Sequence, residues 1–103
     1  MIEKEKIDKL VAQELEEANR TYPLFHSPHE AWAVLLEEVD ELKHEMEHIE
    51  KKTGYMWNAV KCDRDIEGYA DRIYARAIFA AQEAIQCAAM CMKIKQSELY
   101  KEK

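Results

Sequence analysis

The chain has 103 residues, 48% hydrophobic and 35% charged, with a net charge of −6. This composition bounds it to one soluble domain over residues 1–103 and excludes a disordered chain. Residues 1–52 carry 14 acids against 7 Lys or Arg, and residues 53–103 carry 7 against 8, a balance that excludes nucleic acid as a partner.

Two Gly and two Pro beside abundant Ala, Glu, Leu and Lys predict an all-α chain with few turns. Ile7, Leu10, Val11, Leu15 and Ala18 recur every three or four residues and predict a first helix over 2–20. Pro23 and Pro28 interrupt it. Ser27-Pro28-His29-Glu30 is a capping box with proline at the first helical position. The helix it opens carries the stripe Trp32, Leu35, Val39, Leu42, Met46 and Ile49 and is expected to end at Thr53-Gly54, with Gly54 as a left-handed C-cap. YMWNAVKCDRD reads as a short helix and a turn, with Asp63 or Asp65 capping the next element. Residues 65–99 are helical again and apolar nearly all round between Ile78 and Met92. The expected architecture is a helical bundle of three long helices plus a short one. A bundle this small buries little surface alone, so a homodimer or homotetramer is expected.

No stretch approaches the roughly 18 apolar residues of a membrane span, so no membrane partner is expected. The charged, amphipathic MIEKEKIDKL reads as no secretory signal, and the expected location is cytoplasmic. Cys62, Cys87 and Cys91 are an odd number of thiols, read as reduced. Cys87 and Cys91 read as small buried hydrophobes, and His44 and His48 as solvated histidines.

Two carboxylate groups stand out. Within LLEEVDEL, Glu38 falls at the edge of the apolar stripe with Glu41 further round. At i,i+3 both carboxylates can reach one cation; an ordinary amphipathic boundary is the plain alternative. In the last helix Glu83 shares a face with Arg76, Phe79, Cys87, Met90 and Ile94, with Gln86 at i+3. A lone acid on an apolar face needs a partner or a metal. A salt bridge to Arg76 or Arg72 is the plain alternative.

The ordered pair Glu37-Glu38-x-x-Glu41 and Glu83-x-x-Gln86 resembles the E-E-x-x-E and E-x-x-D signature of the MazG-like all-α nucleotide pyrophosphohydrolases. FHSPHEAWAVLLEEVDEL and QEAIQCAAMCM resemble phage-type or prophage-type members. The likeness covers about Phe25 to Ile94. It implies release of pyrophosphate from a nucleoside triphosphate substrate, leaving the monophosphate. It also implies Mg²⁺ or Mn²⁺ on Glu38, Glu41 and Glu83, with Gln86 at the position where the family carries Asp. An amide oxygen brings no charge to a metal, so the resemblance equally admits a catalytically degenerate nucleotide-binding or interaction module. Glu37 or Glu41 would orient or deprotonate the attacking water. Arg72 and Arg76, with Lys61 and Arg64, would bind outer phosphates. Trp32, Phe25 and Trp57 would stack on the base, or serve as core or interface residues.

Overall fold

The computed structural model describes residues 1–99, which form three helices: α1 (Lys4–Thr21), α2 (Pro28–Lys61) and α3 (Glu67–Gln96). There is no strand among the described residues. Ser27 caps α2 as expected, its hydroxyl accepting from the Glu30 N–H at 3.1 Å. Asp65 accepts from the Glu67 N–H at 3.0 Å and so ties down the first turn of α3.

The expected break at Gly54 does not occur, and the separate short helix is absent. α2 continues through Gly54 to Lys61. A mid-helix glycine costs about 1 kcal/mol, and packing on both sides of it overrides that cost. The half-buried and buried positions Leu35, Glu38, Leu42, Glu45, Ile49, Lys52, Met56 and Ala59 alternate steps of three and four straight across Gly54. The true stop is Asp63, in the left-handed region at φ 52°. The Arg64 N–H reaches the Ala59 carbonyl at 2.9 Å, and the Asp63 N–H reaches Val60 at 3.2 Å. These two bonds are a Schellman closure.

α3 carries the matching repeat: Tyr69, Ile73, Arg76, Ala80, Glu83, Cys87, Met90 and Ile94. The two heptad-spaced seams pack against each other along an antiparallel hairpin, in the manner of a coiled coil. α1 lies on the other side of α3, its Val11, Leu15 and Ala18 joining Phe25, Ala31, Ala89 and Met90 in the core. The loop between α1 and α2 is pinned to the end of α3. Ser97 Oγ accepts from the Phe25 N–H at 3.0 Å, and Asn19 donates to Gln96 at 3.0 Å.

The single apolar stripe expected on α2 splits in two. Leu35, Leu42 and Ile49 are half-buried, whereas Trp32, Val39 and Met46 remain exposed. On α3, Tyr74, Ile78, Phe79 and Met92 are likewise exposed. Of the two cysteines read as buried, Cys91 faces solvent and only Cys87 is half-buried. The molecule is long, 65 × 27 × 24 Å, with a radius of gyration of 17.9 Å, where a compact chain of this length would give about 13 Å. No described helix is long and apolar enough to cross a membrane.

Candidate metal centre

One register governs the α2–α3 seam. A step of seven along α2, from Glu38 to Glu45, meets a step of seven back along α3, from Glu83 to Arg76. Arg76 therefore faces Glu45, and its Nη1 lies 3.3 Å and 3.4 Å from the two Glu45 oxygens. The alternative reading of Glu83, a salt bridge to Arg76 or Arg72, is thereby corrected. Arg76 is taken by Glu45, and Arg72 is exposed over the Tyr69 ring at 5.6 Å.

Glu83 faces carboxylates. One oxygen from each of Glu38, Glu41 and Glu83 lies within 4.8 Å of the others. Glu38 Oε2 and Glu83 Oε2 are buried and have no hydrogen-bond partner. Burial, then the Glu41 and Glu38 carboxylates, push Glu83 up to about 7. Burial and Glu41 also raise Glu38, against a smaller opposing contribution from its contact with Glu83. Two like-charged acids in a seam normally filled by apolar side chains need a proton or a cation between them. Hard cations bind oxygens at 2.0–2.6 Å, which sets their ligand atoms roughly 3–5 Å apart. The three carboxylates fit such an ion.

Gln86 stands beside this group and does not complete it. Its Nε2 donates to Glu14 Oε1 of α1 at 3.1 Å. Glu14 was missed at the sequence level, although it sits within the α1 stripe between Leu10 and Ala18, where an acid is as anomalous as Glu83 is on α3. Its charge also contributes to raising Glu38.

A cavity of about 630 Å³ opens next to the cluster, between α1, the loop and the facing sides of α2 and α3. Glu37, Glu38, Gln86 and Phe25 line it. Arg72, Arg76, Lys61 and Arg64 do not. Lys61 closes α2 about 30 Å beyond Glu41 along the helix axis, with its ammonium 5.8 Å from the Trp57 ring centre. Trp32 is exposed against His29, away from the cavity. Lys93, which the sequence reading passed over, lines the cavity instead. Its signal was its spacing, three residues after Met90 and ten after Glu83.

The remaining metal-type side chains are not part of the three-carboxylate group. His44 and His48 meet at 3.2 Å through their Nε2 atoms, and His48 is half-buried. Partial desolvation and the nearby Arg76 hold the His48 imidazole below its usual value. Burial and the neighbouring Glu38 push the Cys87 thiol up, away from the thiolate a soft metal would need. The chain matches no family model, no curated protein and no solved structure.

Proposed function

We propose that the protein is a divalent-metal-dependent nucleotide pyrophosphohydrolase of the MazG-like kind, with Mg²⁺ or Mn²⁺ on Glu38, Glu41 and Glu83. The observation that supports this is the convergence of three carboxylates from two helices, with two buried oxygens that lack any donor. A divalent ion bound there would neutralise phosphate oxygens and stabilise the charge that builds at the α-phosphorus. Glu37 is exposed, lines the adjoining cavity and is outside the three-acid group. It is the carboxylate free to orient a water and take its proton as the water oxygen bonds to the α-phosphorus. The bond from that phosphorus to the bridging oxygen breaks, and pyrophosphate leaves.

Assembly into a homo-oligomer belongs to the same reading. The surface is 8243 Å², against roughly 6,000 Å² for a compact monomer of this mass. The second stripe of each hairpin helix, including Met46 and Phe79, is exposed. Covering those stripes with another copy would restore an ordinary burial ratio.

One observation favours a second reading, a nucleotide-binding module without turnover. Gln86 is neutral, and its amide is directed to Glu14. Incubation with Mg²⁺ or Mn²⁺ and a panel of nucleoside triphosphates, with pyrophosphate assayed, separates the two. Metal-dependent release that disappears in Glu83→Gln supports the enzyme. Metal and nucleotide binding without release supports the module. Absence of metal binding defeats both.

A further inference from the structure

Lys93 is 3% exposed, yet it has no carboxylate partner among the described residues. Its ammonium has three donors. One contact is to the Tyr22 carbonyl at 3.5 Å, beyond the usual hydrogen-bond range. The other is with the Phe25 ring, at 5.2 Å from its centre. A buried cation held this loosely is costly unless something else meets it. Tyr22, Phe25 and Lys93 all line the cavity beside the carboxylate cluster, and Lys93 is the only Lys or Arg among its described lining residues.

Position on the helix says which end of a ligand it meets. Glu83, Gln86, Met90 and Lys93 follow one line along α3, and Lys93 lies about 15 Å beyond Glu83. Phe25, Val34, Met90, Tyr22 and Pro23 supply apolar and aromatic wall to this cavity, with Tyr22 and Phe25 at the Lys93 ammonium itself. Glu14, Glu17, Glu30 and Glu37 line the same cavity. A polyphosphate chain running toward Lys93 would meet those four carboxylates with a single ammonium to offset them. An uncharged ring and sugar would bring no charge against them.

Resting on the proposed nucleotide reading, we infer that Lys93 receives the edge of the nucleobase farthest from the sugar and selects a keto oxygen there. Uracil, thymine and guanine present that acceptor; cytosine and adenine present an amino donor, which an ammonium with no acceptor of its own cannot satisfy.

The test uses the whole chain with Mg²⁺ and α,β-imido analogues of UTP, GTP, CTP and ATP, read by calorimetry. The keto bases should bind at least about tenfold tighter than their amino counterparts. Lys93→Met, which keeps the side-chain length, should bring the ratio near one by weakening the keto analogues. The metal-free melting temperature of this variant should rise, because an uncompensated charge has been removed. Equal binding of all four analogues by wild type, or a preference unchanged in Lys93→Met, overturns the inference and leaves the nucleotide reading standing. If no analogue binds, the nucleotide reading falls and the inference with it. A lower melting temperature in Lys93→Met combined with an unchanged preference would assign Lys93 a purely structural role.

Discussion

Two layers of the α2–α3 seam, one heptad apart, use the same register to opposite ends. In one, Glu45 meets Arg76 and the charges cancel. In the next, seven residues along, Glu38 meets Glu83 with Glu41 beside them, and two oxygens are left without a donor. The backbone is equally regular at both. Buried charge is tolerated in this hairpin where a partner is built in, so the unmatched layer marks where an outside partner is expected.

The largest effect should come from removing the charge at the unmatched layer. Glu83→Gln should reduce pyrophosphate release by at least about 100-fold, as expected for a direct ligand. In wild type, Mg²⁺ at ten times its Kd should stabilise by about 1.4 kcal/mol, or roughly 5–10 °C in Tm. Melting curves of Glu83→Gln should show none of that gain and should start from a higher metal-free Tm. A wild-type melt indifferent to Mg²⁺ would remove the distinction between the layers.

Breaking the matched layer should act on stability alone. Arg76→Met leaves the Glu45 carboxylate, whose side chain is 15% exposed, without its cation. The cost should be about 1–2 kcal/mol, less than for a fully buried pair because the Arg76 side chain is itself 34% exposed. Its Mg²⁺-dependent Tm shift should equal that of wild type. Loss of that shift would mean that Arg76 belongs to the site after all.

The two layers should also differ in pH response. Folding raises Glu83 from its ordinary 4.5 to about 7. Between those values the folded chain holds a proton that the unfolded chain has released, so stability falls as pH rises through that window. Metal-free Tm should therefore decline from pH 5 to pH 8 more steeply in wild type than in Glu83→Gln. Saturating Mg²⁺ should flatten the wild-type curve, because the ion takes the proton's place.

Much of this arrangement was legible before any coordinates. Ser27-Pro28-x-Glu30 named the start of α2 because capping chemistry is local. Glu83 stood out because an acid on an apolar helical face is anomalous wherever the helix packs. Gly54 misled because its local preference was overruled by the burial of Lys52 before it and of Met56 and Ala59 beyond it, and a 3.6-residue wheel blurred the two seven-residue seams into one stripe. Partner choice was the least legible. Arg76 falls on the same face as Glu83, and only the antiparallel register gives it to Glu45. Glu14 and Lys93 each carried a spacing signal on a helix face, but what each of them meets depends on the helix or loop that covers it.

Gln86→Asp should have the smallest effect and the most specific one. Its amide now donates to Glu14 at 3.1 Å. Asp removes that donor and sets a carboxylate facing Glu14, with Glu38 near, so the metal-free protein should lose about 1 kcal/mol. With Mg²⁺ the same carboxylate becomes a fourth anionic ligand, and affinity should rise by about tenfold, about 1.4 kcal/mol. The change thus reverses sign with the ion: Tm below wild type without Mg²⁺, level with or above it at saturation. Adding Glu14→Gln to Gln86→Asp should recover the metal-free loss, because an amide donor again faces the carboxylate, and should leave the Mg²⁺ gain intact. If Gln86→Asp is destabilised to the same degree with and without Mg²⁺, position 86 faces only α1, and whatever ion the three glutamates hold does not reach it.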